Sequence, residues 1–175
     1  MPEDRHDLIQ RIADEYAGRH VKLFMGQFEW VRQLTESPIE AAMCCALAAE
    51  FHERAWALWQ STGMCAFRDI QFSTYDILVV PQYPVGKYRA DLMVLVRDVN
   101  PEKRYAIECD GAQFHDATTE QMDRDRYRDR CFQSDGIMPI RFSGAEIVKN
   151  PIRCAVSALN IILNDAYGLK AGKAS

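Results

Sequence analysis

Hydrophobic residues first fall into a helical rhythm after Ser37: Ile39, Met43, Leu47 and Phe51 recur every fourth position and predict a helix with one buried face. Ser37 is placed as its N-cap, Pro38 at its first turn and Glu40 three residues after the cap, the spacing of a capping box. A looser stripe from about Glu3 to Gln33 also reads as helical. The period then drops to two. Asp76 to Val80 predicts a strand, which Pro81 and Pro84 are expected to break. Across Tyr88 to Val96, Tyr88, Ala90, Leu92, Val94 and Val96 are expected on one face, with Arg89, Asp91, Met93 and Leu95 on the other. A polar turn from Asp98 to Lys103 leads into a strand from Arg104 to Asp110, ended by Gly111. A helix from Thr119 to Ser134 stops before Gly136, and a strand follows from Ile137 to Phe142. Ser143 and Glu146 form a second capping box, and Asn150-Pro151 opens a last helix with the stripe Ile152, Val156, Leu159 and Leu163.

Helix, strand meander, helix, strand, helix is the order of an α/β (α+β) fold, a mixed central sheet flanked by helices. The chain divides into an N-terminal helical extension (1–36), one domain (37–168) and a flexible tail (169–175). No apolar run approaches the roughly 20 residues that cross a bilayer, so no membrane partner is expected. The charged start, MPEDRHDLIQ, does not read as a signal peptide. Six cysteines without a C-x-x-C pair point to a reducing cytoplasm rather than a disulfide framework or structural zinc. Trp30, Trp56 and Trp59 share no common platform and read as packing groups. A net charge of −4 weighs against a nucleic-acid partner, unless carboxylates cluster on a cation that inverts their field.

Such a cluster is visible. Period two places Glu108 and Asp110 on one strand face, and a turn centred near Asn100 sets Asp91 opposite Glu108 or its neighbour. Carboxylates this close are destabilising unless protonated, paired with bases or bound to a hard cation such as Mg²⁺. Strand-end solvation is the alternative for each alone. His115 leaves the end of the same strand, where it serves as general base, as phosphate contact, or only as a loop histidine with a local hydrogen bond. The arginines of Asp123 to Arg130 scatter around their helix, leaving no single basic face. Asp125 and Asp129 fall among core-seeking residues and need cationic partners, for which Arg128 and Arg141 are the candidates. Asp129 reads as part of a structural ion-pair network, and Lys87 and Arg89 as phosphate contacts or cover for a strand end.

Together Ser37-Pro38-Ile39-Glu40, Tyr88-Arg89-Ala90-Asp91, Ile107-Glu108-Cys109-Asp110-Gly111, Phe114-His115, Asp125-x-x-Arg128-Asp129 and Arg141-Phe142-Ser143-Gly144 resemble the PD-(D/E)XK, restriction-endonuclease-like superfamily. Within it the chain is similar to bacterial domains grouped near the very short patch repair endonuclease. The resemblance runs from about Ser37 to about Ile152. It implies a metal-binding pair in Asp91 and Glu108, with the carbonyl of Cys109 also facing the metal. It further implies a histidine near the attacking water in His115, and a helix glutamate in Glu40 beyond its capping role. The superfamily's motif lysine is Asp110 here, which leaves open which group acts as base.

The expected activity is therefore hydrolysis of phosphodiesters by a Mg²⁺- or Mn²⁺-dependent endonuclease. Asp91, Glu108, Asp110 and His115 would be catalytic, and Glu40, Arg89, Asp125, Arg128 and Arg141 would stand behind them or on phosphate. DNA is the expected polymer by family analogy, RNA the variant of it, and a homodimer or larger partner would supply targeting. The alternative is a catalytically inactive nucleic-acid-binding or protein-interaction module, which would be indifferent to loss of Asp91 and Glu108.

Overall fold

The computed structural model describes residues 29–58, 61–111 and 119–168, excepting the side chains of 55–58 and 119–125. Residues 1–28, the 169–175 tail and His115 lie outside it, as do the side chains of Asp125, Trp56 and Trp59. The elements are α1 (Pro38–Leu58), β1 (Thr62–Met64), a 3₁₀ turn (Phe67–Phe72), β2 (Ile77–Val85), β3 (Tyr88–Val96) and β4 (Lys103–Asp110). After these come α2 (Thr119–Ser134), β5 (Ile137–Ser143), α3 (Gly144–Lys149) and α4 (Pro151–Tyr167). The five strands form one mixed sheet in the order β1-β2-β3-β4-β5, with parallel pairs at its two edges and antiparallel pairs within. The predicted fold class is the observed one.

Helix α1 begins where its capping residues dictate. The Glu40 amide donates to Ser37 Oγ (3.3 Å), while Glu40 Oε1 accepts from Ser37 Oγ (2.7 Å) and Oε2 from the Glu36 amide (2.9 Å). Ala41, Met43, Cys44, Cys45, Ala46, Leu47 and Phe51 are all buried, so α1 runs between the sheet and α4 rather than along a surface. Of the stripe expected on α4, Leu159 and Leu163 are buried, but its first residue is turned outward. Ile152 is 44% exposed, whereas Ala155, Ala158, Leu159 and Ile162 are buried. Small side chains at 155 and 158 let α4 lie close on α1, and that contact turns Ile152 outward. Trp30, at 40% exposure, is not the packing group expected, and its neighbour Val31 is buried in the core instead. All six cysteines are free, and Cys44, Cys45, Cys109 and Cys154 are buried as small apolar groups.

Strand β2 does not break at its prolines. Pro81 pairs with Leu92 and Pro84 with Arg89. β1 covers β2 only from Ile77 to Val79, so among the described residues the outer edge of β2 beyond that point carries no ladder that a missing N–H could spoil.

The sheet separates two apolar layers. Ile77, Val79, Leu92, Val94, Val96, Tyr105 and Ile107 pack with α1 and α4, while Leu78, Val80, Met93, Leu95 and Ala106 pack with Phe132 of α2. The simple alternation expected along β3 fails at one step. Ala90 and Tyr88 join Met93 and Leu95, and on β2 Val85 and Tyr83 join Leu78 and Val80. Both strands thus change phase together, at Gln82 and Asp91. These two residues stand opposite each other in the register but form no ladder pair, and Gln82 has φ = 54°.

At the far end of the sheet Asp165 accepts from Tyr105 Oη (2.7 Å) and from Lys103 Nζ (2.9 Å). Lys103 first, then Tyr105, holds its carboxyl below the usual range. A carboxylate with a depressed folded-state pKa contributes stability that is present above its unfolded value and lost as pH falls through the folded one. Because the group is partly solvated, the contribution is no more than about 1 kcal/mol. Denaturant unfolding should therefore find Asp165→Asn less stable than wild type at pH 7, with the difference closing below about pH 4.

Candidate functional site

The register of β3 on β4 builds the site. Leu92 pairs with Ile107, so one further step sets Asp91 opposite Glu108, as the turn centre near Asn100 predicts. The ladder gives way there to a side chain: the Cys109 amide donates to Asp91 Oδ2 at 2.7 Å. Burial raises the Asp91 carboxyl above its ordinary value; the Cys109 bond opposes this, the Glu40 charge adds to it, Arg128 opposes and Asp110 adds. The thiol of Cys109 is pushed up by the same surroundings, by burial first and then by Asp91 and Glu40. Burial leads both shifts, and the neighbouring carboxylates add to it.

Glu108 is only 1% exposed. Alternation turns it toward α2, where Arg128 donates to its Oε2. The same guanidinium donates to the carbonyl of Arg89 at 3.1 Å, and its carbon lies 5.4 Å from the Phe132 ring centroid. Burial lowers the pKa of Arg128. Glu108 Oε1 is buried with no hydrogen-bond partner. Two places along β4, Asp110 faces Arg141 (3.4 Å), which also bonds Asp129 (2.5 Å). Strand β5 supplies Arg141 because Glu108 and Asp110 pair with Arg141 and Ser143 across the parallel ladder. Asp129 thus belongs to the ion-pair network its place on the helix suggested, while Arg128 engages the strand glutamate Glu108. Gly144 closes the site from below: a Cβ there would meet the Asp110 carbonyl at 3.2 Å and Ile39 Cδ1 at 3.4 Å.

Glu40 is both a cap and part of this neighbourhood. It is 7% exposed, and besides its capping bonds it accepts from Gln82 Nε2 at 2.7 Å. Gln82 is the site residue that sequence reasoning missed; the flanking Pro81 and Pro84 marked irregular backbone but not its purpose. Arg89 points away from Glu108 and pairs with Glu36, just before the α1 cap. Among the described residues, no group of three or more His, Cys, Asp or Glu forms a ready-made metal site. Arg128 and Arg141 stand between the acids.

Removing the partner of a buried charge costs far more than the pair itself contributes. Arg128→Ala should lower unfolding free energy by about 3 kcal/mol at neutral pH, and Glu108→Gln in that background should recover part of the loss. Equal instability of the single and double variants in urea melts would show that Glu108 does not depend on Arg128.

Among curated proteins and among solved structures, none matches the chain. A family model does match: REase_MTES_1575, a restriction-endonuclease-like family, covers residues 67–162. That span holds Asp91, Glu108, Asp110, Arg128 and Arg141 and begins after α1, so Glu40 lies outside it. Since the match takes in more than half of the chain, and strands β2 to β5 with their acidic end lie within it, this chain belongs to the restriction-endonuclease-like family REase_MTES_1575.

Proposed function

We propose that the chain is a divalent-metal-dependent endonuclease that hydrolyses phosphodiester bonds, with DNA as its polymer. The observation that carries this reading is Glu108. A carboxylate oxygen buried without a donor is costly, and Glu108 Oε1 is one, directly across the strands from Asp91, whose carboxyl is raised by burial first and then by the Glu40 and Asp110 charges. A hard cation is the partner such oxygens lack, and the donor set fits one: the Asp91 and Glu108 carboxylates and the carbonyl of Cys109 are oxygen ligands suited to Mg²⁺ or Mn²⁺. When bound, the ion supplies Lewis-acid stabilisation of the phosphate and a more acidic water.

The remaining candidate groups take roles beside the ion. Asp110, held by Arg141, orients a water at the end of β4. His115, on the segment after that strand, is assigned as general base or phosphate contact. Arg128 and Arg141 bring cationic donors to the acids' edge, where a scissile phosphate is stabilised as its charge grows. Asp125, on the same helix, is assigned to hold these arginines, and Arg89 to reach flanking phosphate. Outside the acids, the exposed Lys87 lies 5.2 and 5.0 Å from the ring centroids of Tyr88 and Tyr127, and Arg130 lies 5.8 Å from Tyr127. This cationic and aromatic surface borders the acidic end and suits a nucleic-acid backbone in a chain of net charge −4. A homodimer or a larger partner adds the targeting that so small a basic surface cannot. No helix among the described residues is long and apolar enough to cross a membrane.

One observation favours a second reading. The guanidinium of Arg128 already engages Glu108, and Asp110 occupies the place of the motif lysine, as in a catalytically inactive nucleic-acid-binding or protein-interaction module derived from a nuclease.

Supercoiled plasmid, linear duplex, single-stranded DNA and RNA, each with Mg²⁺, Mn²⁺ or EDTA, separate the two readings. Wild type should cut DNA only with metal, and Asp91→Ala and Glu108→Gln should each lose at least about 10²-fold in rate with circular dichroism unchanged. A folded wild type that cuts nothing and binds no Mn²⁺ supports the inactive module, and preferential cutting of RNA reassigns the polymer.

A further inference from the structure

We propose that Gln82 is the positioning residue of the acidic site, its left-handed backbone and its amide together bringing Asp91 and Glu40 into one group. The inference rests on the metal-site reading only for what these carboxylates bind. Its basis is a defect in the sheet. On either side of Gln82 the β2–β3 ladder keeps one register, Pro81 with Leu92 and Tyr83 with Ala90, so no residue has been inserted. A β-bulge normally changes the pairing count; here the change is conformational. The φ of 54° at Gln82 lies in the left-handed region, which costs free energy for any residue with a Cβ and persists only where the surroundings hold it.

That conformation changes the chemistry of the sheet end. With uninterrupted alternation, Asp91 would share the face of Met93 and Leu95 and enter the apolar layer under α2. After the phase change Ala90 takes that face instead, so Asp91, the next residue, alternates away from the apolar layer. Arg89, two residues earlier, reaches Glu36 just before the start of α1. On the opposite strand the Gln82 amide donates to Glu40 Oε2 at 2.7 Å. The other bonds to Glu40 come from Glu36 and Ser37, within the α1 cap. The Gln82 bond is thus the one among them that ties the helix glutamate to the sheet. One residue therefore sets both members, Asp91 through the backbone and Glu40 through the side chain.

Two substitutions divide these actions. Gln82→Gly keeps access to the left-handed backbone and removes the amide; Gln82→Val retains a side chain but resists a positive φ. In the full chain, Gln82→Gly should melt within about 3 °C of wild type, since relief of strain offsets the lost bond. It should nevertheless bind Mn²⁺ about tenfold more weakly by calorimetry, and it should be non-additive with Glu40→Gln in denaturant melts. Gln82→Val should speed hydrogen exchange of the Cys109 amide, the donor to Asp91 Oδ2, by about tenfold or more. Additive melts for Gln82→Gly with Glu40→Gln overturn the proposal, whether or not Gln82→Val folds. So does unchanged Cys109 exchange in a folded Gln82→Val, or a Gln82→Gly protein that binds Mn²⁺ as tightly as wild type. If wild type binds no Mn²⁺, it is the metal-site reading that fails, and the melts and amide exchange still decide the role of Gln82.

Discussion

A carboxylate as deeply buried as Glu108 has to be matched by a positive charge, and the origin of that charge constrains the arrangement of the elements around it. Water cannot reach Glu108 to share the burden, so Arg128 must enter from α2, and α2 must lie over β4 at the height and rotation that permit it. Phe132, one turn along the helix, follows the guanidinium into the second apolar layer and stacks beside it. Polar and apolar demands thus select the same helix orientation, the agreement between levels that lets one sequence specify one structure.

The ion pairs around this centre form a rim. Arg141 joins β5 to both β4 and α2 through Asp110 and Asp129, and Arg89 joins the β2–β3 hairpin to the start of α1 through Glu36. Partly exposed pairs of this kind contribute little to stability individually. Their effect is geometric: they hold α2, the start of α1 and the strand ends together at the end of the sheet where parallel strands β4 and β5 finish. Capping residues carry the same task to the backbone, since α1 and α3 both start beside this end and both begin with a Ser–Glu box.

Most of this architecture was legible in the residues. Periodicity located the strands and helices because each buries one face, and the caps at Ser37 and Ser143 set helix starts to the residue. The turn near Asn100 was enough to bring Asp91 opposite Glu108, because antiparallel pairing follows from the position of the turn. Three features were not legible. Pro81 and Pro84 looked like breaks because the sequence cannot say that β1 is too short to cover that edge. The start of the α4 face was misread at Ile152, though not at Leu159 and Leu163, because alanines carry little hydrophobic signal although they permit the closest packing. The phase change at Gln82 leaves no trace in residue count or hydrophobicity, since it consists of a single dihedral angle. Metal ligation and the part played by His115 rest on resemblance and chemistry, for pattern alone does not distinguish an acid that binds a cation from one that binds an arginine.

The burial of Cys109 has a redox consequence. Its thiol lies between two carboxylate-bearing positions on β4, and low polarity together with the charges of Asp91 and Glu40 holds it in the protonated form. Nucleophilic attack on peroxide, on a disulfide or on an alkylating reagent requires the thiolate. A cysteine in the middle of the acidic motif would ordinarily be a point of oxidative failure, yet here burial, with the charges of the nearby carboxylates added to it, keeps the sulfur in the unreactive thiol form.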